Sequence, residues 1–159
     1  MRGRISRAAL LSALSAGLLT GLLVVTPAEA ATATDSSATY YADQAVKATN
    51  QARRANGLRR LKKSACLQRY AAAQAEWMAT QGEMAHQSLY PPLRKCGLSM
   101  VGENVAYGWS AGSVLVDSGW MQSSAHRHNI LEKRFGLIAI AARQDADGNW
   151  YVSQLFGRA

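Results

Sequence analysis

The chain has 159 residues, with 18 Lys and Arg against 10 Asp and Glu and a formal net charge of +8, a length that suits one domain rather than two. Apolar residues make up 48% and charged residues 18%, which excludes a disordered polar chain. Two Cys are too few for a disulfide-dense miniprotein or a four-thiolate zinc site, and no GxxxxGK(S/T) or GxGxxG run offers a phosphate-cradling loop.

The first thirty residues read as a secretory signal peptide. Arg2, Arg4 and Arg7 precede an apolar run over residues 8–25. Pro27 breaks it, and Ala28-Glu29-Ala30 has the small-x-small pattern of signal peptidase cleavage. The alternative is a membrane anchor, for which this short run of mixed Ala, Leu and Gly barely suffices. No second apolar stretch approaches spanning length, so the expected protein is secreted, extracellular and without a stable membrane span after cleavage. Cleavage removes three Arg and one Glu and leaves 15 basic against 9 acidic residues, net +6. Residues 31–39 are small and polar and read as a flexible lead-in. Residues 40–159 form the predicted folded domain, large enough for one core without oligomerisation, so a monomer is expected.

Within that domain, residues 40–56 read as a helix, with Ala42, Ala45, Val46, Thr49 and Ala52 at helical spacing and Gly57 as its stop. Ser64 is placed to cap a second helix that runs to about Thr80, with Leu67, Tyr70, Ala71, Ala75 and Met78 as its apolar stripe. A polar, Pro-containing connection follows over residues 83–99, long for a loop without function or tethering. Residues 100–107 read as a strand carrying Gly102-Glu103-Asn104. Ser113 opens a third helix containing Leu115, Val116 and Trp120, and Ser123 or Ser124 opens a short fourth through Leu131. Residues 137–142 are a continuous apolar strand, and Asp147-Gly148 before the strand at 150–156 is a hairpin signal. Helices first and an antiparallel hairpin last predict an α+β layered domain.

The basic excess is concentrated. Arg53, Arg54, Arg59, Arg60, Lys62, Lys63 and Arg69 fall within a short segment. No aromatic residue is interleaved from Arg53 to Lys63, so no base-stacking platform and no nucleic-acid partner are expected. The segment reads either as a solvated helix end and turn or as a patch for an anionic surface such as wall polymer or lipid headgroup.

Cys66 and Cys96 are the only two Cys. An even count in an exported chain favours a bridge between them, from the start of the second helix to the end of the long connection. Two buried thiols are the alternative. A catalytic Cys–His pair has little support, because neither Cys stands in a context that lowers a thiol pKa.

The three His stand at 86, 126 and 128. His126 and His128 are two apart on a helix and point away from each other, so His128 is read as exposed. Glu103 is a carboxylate set in an otherwise apolar strand, and burying it unpaired is costly. Arg127 pairs with a carboxylate, carries a backbone contact or is simply solvated; Asn129 reads as a helix-end cap.

In chain order, His86, Gly102-Glu103-Asn104, Trp120-x-x-Ser123-x-x-His126-Arg127-x-Asn129-Ile130-Leu131 and the closing run from Gly148 to Gly157 resemble the CAP superfamily. That superfamily comprises the cysteine-rich secretory, antigen 5 and plant pathogenesis-related proteins and is also called the SCP domain. Asn50-x-x-Arg53 and Leu58-x-x-Leu61 resemble it too. The likeness covers about residues 42–157 and is greatest to the short bacterial secreted branch. It implies an α-β-α sandwich with a central antiparallel sheet flanked by helices, and an open cleft lined by two His and two Glu. His86 matches the first His, Glu103 the first Glu and His126 the second His. The second Glu position is Ser123 here, which puts in doubt any mechanism needing two carboxylates.

The resemblance therefore implies a cleft or ligand-binding set of His86, Glu103, Asn104, Ser123 and His126, with no catalytic residue assigned. His86, His126 and Glu103 are also compatible with zinc or another divalent metal, with a fourth position for water, although the HExxH spacing of metalloproteases is absent. Without metal, Glu103 is expected to bond His126 and Asn104 and organise the cleft. The expected function is non-enzymatic binding of a lipid, a sterol or an anionic envelope polymer. A metal-assisted hydrolase of peptide or wall substrates and a basic adhesion module remain the alternatives.

Overall fold

The computed structural model describes residues 27–159, so the signal-peptide reading lies outside the described residues except for residues 27–30. Helix α1 (Pro27–Ala55) is longer than the sequence reading and takes in residues 31–39. The reason is local and tertiary at once. Proline is tolerated in a first helical turn, no Pro or Gly follows until Gly57, and Ala38 and Tyr41 are already buried against the core. Strand β1 (Lys62–Lys63) follows. Helix α2 (Ala65–Gln81) starts where expected, with Ser64 Oγ accepting from the Leu67 amide at 3.3 Å.

The long connection after α2 is not all loop. It holds helix α3 (Tyr90–Lys95), entered through Pro91 and Pro92, residues suited to a first turn. Cys66 and Cys96 are bridged, joining the start of α2 to the end of α3 across 30 residues. Closing a loop of that length contributes on the order of 3–4 kcal/mol in the chain-entropy description.

Strand β2 (Met100–Tyr107) leads to helix α4 (Gly112–Val114), which runs on as a π-helical turn (Leu115–Gly119) and a 3-10 turn (Trp120–Gln122). The expected third helix is thus present but irregular. Where the two turns meet, a Cβ at Gly119 would meet the Trp109 ring at 2.8 Å, so glycine is required there. Helix α5 (Ser124–Leu131) and the hairpin of β3 (Leu137–Gln144) and β4 (Trp150–Arg158) complete the chain. In the hairpin turn, Asp145 Oδ1 accepts from the amides of Asp147 and Asn149 at 3.0 and 2.8 Å.

The sheet order is β1-β3-β4-β2. The three long strands are antiparallel, but β1 pairs β3 in parallel, so the sheet is mixed rather than wholly antiparallel. Strand alternation sorts side chains onto two faces. Ile138, Ile140, Ala142, Val152 and Phe156 pack with Tyr41, Ala45 and Ala48 of α1. Ala139, Ala141 and Leu155 pack with Leu67, Ala71 and Ala75 of α2. Helices on both faces explain why the β3 sequence is apolar without alternation. The result is the expected α-β-α sandwich. No helix among the described residues is long and apolar enough to cross a membrane.

Arg53 is the largest departure from the solvated basic segment. It is 1% exposed. Its Nε donates to the Arg59 carbonyl, Nη1 to those of Ile130 and Glu132 and Nη2 to that of Phe135, at 2.7 to 3.3 Å. Asn50 works beside it, accepting from the Leu61 amide at 2.7 Å and donating to the Leu61 carbonyl at 3.2 Å. These two side chains fix the end of α1 to the chain that follows it and to the end of α5.

Candidate functional site: a carboxylate enclosed at the sheet edge

Strand β2 is an edge of the sheet. Period two sends its Glu103 to the α2 side and Asn104 to the α1 side. The triplet begins with Gly because a Cβ at 102 would meet the Phe135 ring at 2.9 Å. Glu103 pairs in register with Leu155, and its side chain is 1% exposed. Four donors converge on its two oxygens. His86 Nδ1 reaches Oε2 at 2.8 Å, and the Gln87 amide reaches the same oxygen at 3.3 Å. Gln87 Nε2 donates to Oε1 at 2.7 Å and Ser153 Oγ at 3.0 Å. Gln74 Nε2 donates to the Ala85 carbonyl at 2.6 Å, which holds this part of the connection on α2. With Nδ1 turned to a carboxylate, the His86 ring presents Nε2 outward, and its side chain is 62% exposed.

On the other side of the edge, a buried chain of amides sets α5. Gln154 Nε2 donates to Thr49 Oγ1 at 2.9 Å, and Gln154 Oε1 accepts from Asn104 Nδ2 at 2.9 Å. Asn104 Nδ2 also donates to the His126 carbonyl at 3.2 Å. Asn129 Nδ2 donates to Asn104 Oδ1 and to the Glu103 carbonyl at 2.9 and 3.0 Å. Asn129 is therefore a cover for the strand edge, not a helix-end cap. The network places His126 at the start of α5, its ring 6.4 Å from that of Trp120, whose Nε1 donates to the Val105 carbonyl at 3.3 Å.

His126 Nδ1 is buried and has no hydrogen-bond partner. Burial pushes the imidazole below its ordinary pKa, and the positive charge of nearby His86 adds to the effect. A lowered folded-state pKa means that the unfolded chain binds more protons below the ordinary imidazole value of 6.5. Stability from this group is complete above that value and is lost as pH falls through the window beneath it. The thermal midpoint should therefore climb between about pH 5 and pH 7, and His126→Gln should flatten the climb. Equal pH slopes in the two proteins would show that His126 does not carry the effect.

Several expectations need correction. Glu103 bonds His86, Gln87 and Ser153, and its side chain touches neither His126 nor Asn104. Asn104 is 0% exposed and faces the opposite side of the sheet, so it positions His126 rather than lining the cleft. Ser123 stands at the N-cap position of α5 without a side-chain capping bond. The set His86, His126 and Glu103 does not fit a metal. Both oxygens of Glu103 are engaged by N–H and O–H donors, and no group of three His, Cys, Asp or Glu arranged for a metal ion occurs among the described residues. Gln87 and Ser153 were missed. Ser153-Gln154 is a polar pair in an apolar strand, the same signal that singled out Glu103.

The comparisons with known proteins agree with this fold. The B. subtilis (strain 168) "Uncharacterized protein YkwD" is 29% identical over 134 residues, 80% of this chain and 51% of that protein. The chain thus spans about half the length of that relative. An extracellular protein containing a SCP domain from Bacillus anthracis str. Ames superposes with a TM-score of 0.69 at 22% identity, over 86% of this chain and 45% of that one. A cysteine-rich secretory protein from Staphylococcus aureus gives 0.66 at 22% identity, over 77% and 39%. An outer surface protein of Borrelia burgdorferi gives 0.65 at 17% identity, over 71% and 88%. Residues 46–156 match the sequence profile described as the cysteine-rich secretory protein family, CAP, and with that match and the sandwich around an enclosed Glu103 bonded to His86, the chain belongs to the CAP family.

Proposed function

We propose that this protein is an exported CAP domain that binds an amphiphilic organic ligand without turning it over. The observation that carries the reading is the enclosure of Glu103. A carboxylate that already accepts four hydrogen bonds is a poor base and a poor metal ligand, so its role is to hold His86. Ser123 stands where a second acid would be needed for acid–base work. What remains to meet a ligand is imidazole chemistry: the outward Nε2 of His86 and the ring of His126. On the same face of β2, Val105 is buried, and beyond it Tyr107, which packs on Tyr151 at 4.7 Å between ring centroids, is exposed. Met84, exposed two residues before His86, adds apolar surface. A polar head at the imidazoles with an apolar body against Met84 and Tyr107 fits a lipid or sterol.

Native mass spectrometry of the chain after incubation with extracted lipids tests this, with wall fragments and zinc chloride as separate arms. The expected result is a lipid adduct that is lost in both His86→Ala and His126→Ala. A zinc adduct at pH 7.5 lost in the same two variants, with no lipid adduct, would support the metal-assisted alternative and overturn the proposal.

A further inference from the structure

The outer face of α5 carries a feature that the cleft does not use. Ser124, Arg127, His128 and Leu131 recur at i, i+3, i+4 and i+7 and form one stripe, while Ile130 turns to the core. With Leu58 and Lys133 they line a concavity of about 520 Å³. Glu132 borders it too, but its carboxylate is already taken. Arg134 donates to it through Nε at 2.9 Å, Nη2 at 2.8 Å and its backbone amide at 2.8 Å. Those bonds pull the Glu132 carboxyl down to about 2. Arg127 and Lys133 are exposed and engage no protein acceptor among the described residues. The concavity therefore presents two fixed positive charges, an imidazole and a hydroxyl, with no unmatched negative charge.

The positive surface extends beyond it. Exposed Arg54, Arg59 and Arg60 flank Leu58 in sequence. Arg53 fixes that segment in place, because one guanidinium binds both the Arg59 carbonyl and the Ile130 and Glu132 carbonyls at the end of α5. A row of cations longer than one phosphate fits an extended polyanion. Leu58 and Leu131 are half-buried, and the large exposed apolar side chains among the described residues lie elsewhere, so there is no wedge to enter a bilayer.

We infer that the α5 face, with Arg127 and Lys133 at its centre and Ser124 and His128 beside them, binds the phosphodiester groups of a soluble anionic polymer. The basic segment expected to act as a whole is thereby narrowed: Arg53 is structural, Lys63 is paired with Asp43 at 2.5 Å, and the binding surface is built from two distant parts of the chain.

Isothermal titration of the full chain with poly(glycerol phosphate) at low salt tests the inference. Arg127→Gln with Lys133→Gln should weaken binding roughly tenfold. Arg94→Gln with Lys95→Gln, an equal charge change on exposed residues of α3, should change it by less than about twofold. Should the first double variant fail to fold, Lys133→Gln alone must still weaken binding more than Lys95→Gln alone. Equal losses in the two double variants would reduce the effect to net charge and overturn the site. So would absence of binding to the polymer, or binding to phosphatidylglycerol vesicles with which the polymer does not compete.

Discussion

Replacing Arg53 with methionine is expected to lower the stability of the fold by about 4 kcal/mol, although the replacement is apolar and of similar reach. The cost lies in what is left behind. Four carbonyls, those of Arg59, Ile130, Glu132 and Phe135, lose their donor, and three of them belong to a stretch that closes over the end of α1. An unpaired buried carbonyl costs about 1–3 kcal/mol when water cannot reach it. Some of the four sit near enough to the surface to be hydrated, which keeps the total well below the sum. Burial does pull the guanidinium below its ordinary pKa, with Glu132 opposing the shift, so a charge is being kept in a poor solvent for the sake of those carbonyls. For a domain of this size the thermal midpoint should fall by roughly 15 °C. Arg53→Lys should recover only part of the loss, because an ammonium cannot reach four acceptors in a planar fork. A midpoint within a few degrees of the parent in Arg53→Met would show that the carbonyls find water and that Arg53 is not the fastener described.

That side chain also marks a boundary of what sequence can tell. Arg53 stands in a run of cations, and nothing in composition separates it from Arg54, which is exposed. Its burial follows from helical phase, since Ala45, Ala48 and Thr49 place 52–53 on the covered side of α1. The body of α1, helices α2 and α5, the hairpin and β2 were legible because capping, turn chemistry and apolar runs are local, whereas α3, inside the connection read as a loop, was not. Strand β1 was not, as two lysines carry no alternation and become a strand only by meeting residues 137 and 138. Nor was the irregularity of the third helix, where Gly119 packs against a tryptophan ring ten residues earlier in the chain.

For the candidate site, the sequence singled out residues but not their wiring. Rarity identified His86, Glu103 and His126: few His, and one carboxylate in an apolar strand. Alternation alone sends Glu103 and Asn104 to opposite faces, yet adjacency in the triplet invited placing both in one cleft. The partners of Glu103 come from residues 86, 87 and 153, distances along the chain that only folding closes. The bridge was different again, because two Cys leave one possible pairing.

The second large effect is expected at Glu103. Glu103→Ala should cost about 3 kcal/mol, and burial decides which of the four lost bonds matter. The His86 side chain is 62% exposed and finds water when released, so its bond contributes little. Ser153 is 0% exposed, and its hydroxyl has no other acceptor once the carboxylate is gone. Gln87 is intermediate and loses two bonds at once, from its amide and its side chain. Glu103→Gln should fall between parent and alanine, since one amide oxygen still accepts while the NH2 faces donors. The double variant Glu103→Ala with Ser153→Ala should be more stable than the two single losses added, by about 1 kcal/mol, because the orphaned hydroxyl is removed with its acceptor. Hydrogen exchange at the Gln87 amide should accelerate in every Glu103 variant. An unchanged melting curve with slow exchange at Gln87 would mean that residues 86 and 87 are held by the chain around them. In that case the carboxylate would be free to act on a ligand, and the reading of Glu103 as the anchor of His86 would fail.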